Sequence, residues 1–305
     1  MTDTRRVQLV DAFTTEPMAG NPAGVVAEAD DLADDQMEAI ASELGASETA
    51  FVRASEGADY RLRYFTPERE VDLCGHATVA AFASLADRDE VDDGEYTVET
   101  NVGTLDVAVE PDGTVWFTQS PPEIREVDVD IEEVADALGL DTAALSEVGE
   151  DLPIARASTG LPFLVVPVGY FEQLSAIDPD QAAIEKLCKL NGAEGLYAFT
   201  FDTLEGEATL HGRSFAPLAG IPEDPVTGTA SGAVGAYLRY QGALDTEDPL
   251  IFEQGHFLDR PGRVLVDTRE GEEGATAPRV GGRAVTTLDG DLTTPESDED
   301  DIIEA

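Results

Sequence analysis

The chain is short of positive charge. It has 18 Lys and Arg against 64 Asp and Glu in 305 residues, a formal net charge of −46, and Lys186 and Lys189 are its only lysines. Without a basic stripe to neutralise phosphates, nucleic acid and anionic membranes are excluded as partners. Cysteine is equally scarce: Cys74 and Cys188 form neither a disulfide framework nor a C-x-x-C metal pair. No apolar run reaches the roughly 20 residues that span a bilayer. The longest, 161–171, contains two prolines. The first residues lack the apolar stretch of a signal peptide, so a soluble, cytoplasmic protein is expected. Neither a G-x-G-x-x-G after a strand nor a P-loop is present, so no nucleotide or other cofactor is expected.

What is present is ordered. The apolar residues, 42% of the chain, fall in periodic blocks, which argues against disorder as the meaning of the acidity. A folded chain with a carboxylate coat fits better, held compact where salt screens its self-repulsion, as in a halophilic cytoplasm.

The stretch 60–85 organises the rest. It reads as a strand, a loop, a Cys74-Gly75-His76 turn and a helix apolar on nearly every face, which belongs inside a core. Other helices are expected at 34–44, 131–138, 179–190 and 229–240, among many short strands. Residues 19–24 read as a turn.

The stretch recurs. Arg63-Tyr64-Phe65-Thr66-Pro67 is echoed by Arg213-Ser214-Phe215-Ala216-Pro217. Eleven residues after Arg63 lies Cys74, and eleven after Arg213 lies Asp224, each heading an apolar helix. The expected fold is therefore α+β. Two pseudo-symmetric domains each wrap a mostly antiparallel β-barrel around a central apolar helix. Residues 1–120 form the N-terminal barrel, completed by a last strand at 279–288. Residues 121–278 form the C-terminal barrel, and 291–305 an acidic disordered tail. Such a duplication would aim both central helices at one cleft, where their N-termini suit a carboxylate.

Glu48 lies in a helix-to-strand loop that should be interior, where a carboxylate can trade protons near neutrality. Among 64 acids a lone Glu is ordinarily surface decoration. His76 serves as proton donor or as a helix cap. Asp224 reads as a proton partner, a substrate anchor or an N-cap. Thr227, Gly228 and Thr229 offer hydroxyls and amides to a carboxylate. Asp72, Cys74 and His76 alternate, but Cys74 and His76 should diverge at the helix start, so no metal is expected. With Asp224 opposite Cys74, only one thiol serves as base or nucleophile. His211 and His256 stand in no motif.

Asp11-Ala12-Phe13, Gly20-Asn21-Pro22-Ala23-Gly24, Ser47-Glu48-Thr49-Ala50-Phe51, Arg63 to Pro67, Asp72-Leu73-Cys74-Gly75-His76-Ala77-Thr78 and Glu223-Asp224-Pro225-Val226-Thr227-Gly228-Thr229-Ala230 together resemble the PhzF family of phenazine-biosynthesis-like isomerases, related in fold to diaminopimelate epimerase. The resemblance spans about residues 7–285. It implies a cofactor-free homodimer with two alike domains and a small carboxylate-bearing substrate. The best-known member isomerises trans-2,3-dihydro-3-hydroxyanthranilate, a glutamate moving a proton between ring carbons. Glu48 matches that glutamate, His76 and Asp224 the assisting positions, and Gly75, Gly228 and Thr229 the positions near the substrate carboxylate. Thr229 stands where many members have Ser. Two other readings stand beside this one: an epimerase or racemase using Cys74, and a non-catalytic binding protein on the same fold.

The charge carries its own test. Far-ultraviolet circular dichroism, recorded as salt is removed, should show the chain unfolding at low ionic strength. Full structure in dilute buffer overturns the salt-adapted reading.

Overall fold

The computed structural model describes residues 4–146, 148, 152–244, 246, 248–268 and 277–297. They divide into two units, Met1–Phe117 with Gly281–Ala305, and Thr118–Val280.

In the N-terminal unit the chain runs β1 (Thr4–Ala12), β2 (Asn21–Val26), α1 (Asp34–Leu44), β3 (Glu48–Arg53), β4 (Tyr60–Phe65), β5 (Glu70–Val71), α2 (Gly75–Asp87), β6 (Gly94–Thr100), β7 (Gly103–Val109) and β8 (Val115–Thr118). The first strand pairs antiparallel with β2, β2 runs parallel to β3, and β3 is antiparallel to β4. The fourth strand pairs antiparallel with β5 and parallel with β6, which turns back into β7. All of α2 from Ala77 to Leu85 is buried, and β1, β2, β3 and β7 lie against it. A helix with no polar face has to be covered this way. Residues 21–24, expected as a turn, already belong to β2, with Ala23 level with Glu48.

The C-terminal unit runs β9 (Glu123–Glu126), α3 (Ile131–Leu138), α4 (Ala143–Ser146), β10 (Ala155–Ser158), β11 (Pro162–Pro167), α5 (Phe171–Ser175), α6 (Gln181–Asn191), β12 (Gly195–Thr200), β13 (Leu210–Ala216), β14 (Ile221–Asp224), α7 (Gly228–Tyr240), β15 (Leu250–Gln254) and β16 (Gly262–Asp267). Its pairings repeat those of the first unit. Strands β10 and β11 are antiparallel, β11 and β12 parallel, and β12 and β13 antiparallel. Strand β13 takes β14 antiparallel and β15 parallel, and β15 turns back into β16. Helix α7 is buried like α2, with β9, β10, β11 and β16 against it. Helices α3, α5 and α6 pack on the sheet around Leu164, Val166, Leu187 and Phe215.

After β17 (Arg279–Gly282), strand β18 (Ala284–Thr293) returns to the first unit and pairs along the whole of β1. It runs into the stretch expected as a disordered tail from residue 291. Leu292 packs on the α1 cluster, and Gln36 donates to the carbonyl of Pro295. Those contacts give the acidic segment apolar and polar partners that its composition did not advertise. Residues 298–305 of the expected tail lie outside the described residues. Among the described residues, no helix is long and apolar enough to cross a membrane.

The repeated R-x-F has a physical basis. Residues i and i+2 of a strand share a face, so each guanidinium lies over its own Phe ring: Arg63 over Phe65 at 5.1 Å, Arg213 over Phe215 at 5.2 Å. Each arginine then forks onto one carboxylate, Arg63 onto Glu70 and Arg213 onto Glu223. That hydrogen-bonded fork raises the Arg63 guanidinium pKa and lowers the Glu70 carboxyl. The forks also correct the expected alignment of the two halves. Glu70 stands four residues before the N-cap Cys74, and Glu223 stands four before the N-cap Thr227. Cys74 therefore matches Thr227, and Asp224 matches Val71. The offset is the three-residue 3-10 turn Pro217–Ala219, which the first half lacks.

The same register pairs Arg61 with Glu99 in one unit and His211 with Glu253 in the other. The first pair is partly exposed, whereas His211 and Glu253 are fully buried, with Nδ1 3.1 Å from a carboxylate oxygen. That carboxylate also accepts the backbone amides of Leu204 and Glu205. Phe171, Phe257 and His256 surround the imidazole. Burial, the neighbouring His256 and Arg213 push His211 down to about 3, and burial lowers His256 as well. Burial also raises the Glu253 carboxyl, against the pull of the amides. His211 is thus a neutral donor to Glu253 in the folded chain.

A depressed histidine pKa stabilises the fold above its unfolded value, and the contribution fades as pH falls below that value. Below about pH 6.5 the unfolded chain takes up protons at His211 and His256 that the native chain refuses. His211 should cost about 2 kcal/mol on going from about pH 7 to about pH 5, His256 acts in the same direction, and the raised Glu253 offsets part of the loss at the acid end. Urea unfolding at constant high salt should show this loss, and His211→Asn, which keeps a donor for Glu253, should show less. Equal pH slopes for wild type and variant would refute the assignment.

Candidate active site

Helix α1 ends at Gly45 in the left-handed conformation, φ 65°. Three residues later the chain enters β3 with Glu48 as its first residue, its side chain mostly buried. Across from it, α2 starts. Cys74 is the N-cap, with extended backbone and no capping hydrogen bond from its side chain, and Gly75 and His76 open the first turn. Thr78 ties this turn down. Its hydroxyl donates to the Cys74 carbonyl at 2.7 Å and also meets the buried Tyr64 phenol at 2.7 Å. Gly75 has no room for a side chain, because a Cβ would lie 2.7 Å from the Phe117 ring.

The imidazole of His76 is the hub. Its Nε2 lies 3.4 Å from Glu48 Oε2 and 3.4 Å from Ser47 Oγ. The Cys74 sulfur lies 3.4 Å from Nδ1 and 3.8 Å from Nε2. Cys74 and His76 therefore converge, contrary to the expectation that they would diverge. The extended φ/ψ of Cys74, −138° and 115°, brings its sulfur back over the first turn. Glu48, His76 and Gly75 form one constellation in the N-terminal unit. Ser47 and Cys74 complete it; Ser47 sits inside the resembling motif but had drawn no role from the sequence.

Asp224, Gly228 and Thr229 form a second constellation, at the head of α7. Asp224 closes β14, three residues before the N-cap, so it is not itself the cap. Its carboxylate accepts the Thr227 hydroxyl. Gln254, buried at the end of β15, braces both residues. It donates to the Asp224 carbonyl at 2.8 Å and the Thr227 hydroxyl at 3.2 Å, and accepts the Thr227 amide at 3.0 Å. The sequence held no sign of this residue, which only strand pairing brings beside the helix start.

Helices α2 and α7 share a further property. The first turns of α1 and α3 carry Asp34 and Asp35, and Glu132 and Glu133, while Asp180 caps α6 through its side chain. The starts of α2 and α7 have neither an acid in the first turn nor a capping side chain. In so acidic a chain, these two helix starts are left without a carboxylate in the first turn to offset the dipole.

The duplication is chemically one-sided. Glu48 and Gly195 occupy the same place, each three residues after a left-handed glycine and each first in a strand parallel to its neighbour. A Cβ at Gly195 would meet the Phe163 ring at 2.7 Å and the Phe215 carbonyl at 2.9 Å. Cys74 and His76 match Thr227 and Thr229. The thiol and the imidazole both belong to the first unit, and the second offers hydroxyls, amides and the Asp224 carboxylate, which is engaged by the Thr227 hydroxyl.

One carboxylate beside one imidazole at a helix start is a pair that can pass a proton. Residues 10–290 match the phenazine biosynthesis-like protein family, PhzC-PhzF. The chain is 40% identical over 265 residues to the uncharacterized isomerase YfhB of Bacillus subtilis, covering 85% of this chain and 89% of that one. It is 35% identical to the solved Bacillus anthracis phenazine biosynthesis protein of the PhzF family, with a TM-score of 0.87 over 95% of this chain and 99% of the other. A hydroxyproline epimerase from Agrobacterium vitis shares the fold alone, at 13% identity and a TM-score of 0.61. The chain belongs to the phenazine biosynthesis-like protein family, and it is an isomerase of the PhzF type.

Removing the brace at α7 tests how that constellation is held. Gln254→Ala should lower stability by about 1–3 kcal/mol, the cost of stranding buried polar groups. Amide exchange at Thr227 should speed up with it. Unchanged Thr227 protection would show that the brace is not needed.

Proposed function

We propose that the protein moves a proton between two carbons of a small carboxylate-bearing substrate, with Glu48 as the single base and acid. The observation that carries this is the pairing of Glu48 with His76, combined with the impossibility of any side chain at Gly195. The Glu48 carboxylate takes a proton from one carbon, breaking C–H and forming O–H, while the electron pair delocalises into the adjoining unsaturated system. The same carboxyl then returns a proton to a second carbon, and the double bond has shifted. Atoms and electrons balance without an oxidant or reductant. His76, facing Glu48 through Nε2, holds the carboxylate in place and donates to a substrate oxygen. The α2 start at Gly75, with no acid of its own, suits an anionic substrate group, and Gly228 and Thr229 offer the same chemistry at α7. Asp224 is turned toward Thr227 and orients that helix start.

The epimerase reading needs one group to remove a proton and another to deliver one from the opposite face. Cys74 has Thr227 as its counterpart, so the fold carries no second thiol at the matching place. That favours the one-base reading.

Turnover in heavy water separates the two. Isomerisation gives a product with a shifted double bond and deuterium at the new C–H. Epimerisation gives the same connectivity with one centre inverted. Glu48→Gln should lower kcat by about 10²–10⁴, whereas Cys74→Ala should leave most of the activity. Full activity in Glu48→Gln would falsify the assignment.

A further inference from the structure

The convergence at His76 has a second chemical meaning. A thiol, an imidazole and a carboxylate are the donor types that zinc takes. The donor atoms of Glu48, Cys74 and His76 all lie within 4.8 Å of one another. A tetrahedral zinc with bonds of about 2.0–2.3 Å sets its ligands roughly 3.3–3.8 Å apart. Here Nε2 of His76 is 3.4 Å from Glu48 Oε2 and 3.8 Å from the Cys74 sulfur. The three side chains come from the head of β3, the N-cap of α2 and its first turn, and Thr78 ties the Cys74 backbone to that turn. Cys74 is buried, and Glu48 and His76 are nearly so, their side chains 15% and 11% exposed.

We propose that this trio binds one zinc ion through Cys74 Sγ, His76 Nε2 and a Glu48 carboxylate oxygen, leaving the fourth position to water or an anion. Binding forms the Zn–S bond as the thiol proton leaves to solvent, and the ion keeps its charge state. It occupies the lone pair of the carboxylate that proton transfer needs, so zinc acts as a reversible inhibitor and not as a cofactor. The inhibition rests on the isomerase reading, whereas the binding does not. Cys188 is no competitor, since burial in the α6 core pushes its thiol up to about 12.

Cobalt is the probe, because it reports its ligands by colour. Chelator-treated full-length protein, held in concentrated potassium chloride to saturate the acidic surface, is titrated with cobalt(II). One ion per chain should give a near-ultraviolet sulfur-to-cobalt charge-transfer band with strong tetrahedral visible bands, and zinc should bleach both. Oxygen-only surface sites give no such band. Cys74→Ser should abolish the charge-transfer band, and Cys188→Ser should keep it. His76→Asn and Glu48→Gln should weaken binding by more than the roughly 10–100-fold lost when a group behind a ligand is removed. Should Cys74→Ser not fold, zinc must still protect Cys74 of the wild type from alkylation. Absence of the band, its survival in a folded Cys74→Ser, or unprotected alkylation overturns the site. None of these readouts uses turnover. A colourless protein in which Glu48→Gln still kills activity refutes only the metal site, and a coloured one with an active Glu48→Gln refutes only the catalytic assignment.

Discussion

Burial of a helix on every side is the constraint from which the rest of this structure follows. Helices α2 and α7 each bury ten of their thirteen residues. Here strands curled around them supply that cover, in a run of antiparallel turns with two parallel crossings in each unit. Small residues are what permit it: in α7, Gly232 is met by Gln119 and Gly235 by Val266 at distances that no Cβ tolerates. Because the sides of such a helix are sealed, its polar end is the only part free to do chemistry. The forked arginines set the strand that leads to each end, so the position of the N-cap is fixed by Arg63 and Arg213 as much as by the helix itself.

The sequence showed the two-fold architecture through the R-x-F pairs, since a stacked guanidinium and ring must share a strand face. It showed the two buried helices through their lack of a polar side. It misplaced the alignment between them, because a count of eleven residues does not see the turn at Pro217–Ala219. It also separated Cys74 from His76, since helical spacing governs residues inside a helix and an N-cap lies outside it. Glu48 drew attention through its motif, not its type, being one carboxylate among 64. Gln254 and the His211–Glu253 pair were illegible for a common reason: their partners are distant in sequence and are brought near by strand register alone.

The duplicated halves have divided their labour. Equivalent strand positions hold an exposed Arg61–Glu99 ion pair in one unit and a sealed His211–Glu253 pair in the other. Equivalent helix starts hold a thiol and an imidazole in one and two threonines in the other. In the second unit the shifted imidazole lies in the core, where its titration bears on folding. The acid coat is a third, separate use of charge, concerned with the solvent.

Gly195 restricts where such a chain can evolve. Its backbone is pressed between the Phe163 ring and the Phe215 carbonyl, both part of the core that makes the second unit a unit. A mirror-image acid at that strand head is thus beyond the reach of any single substitution, and remodelling the pocket would dismantle the wall behind it. A descendant with a second proton-handling group would have to acquire it at the α7 cap, where Thr227 already points a side chain. The ancestral repeat has closed one of its two doors with an aromatic ring.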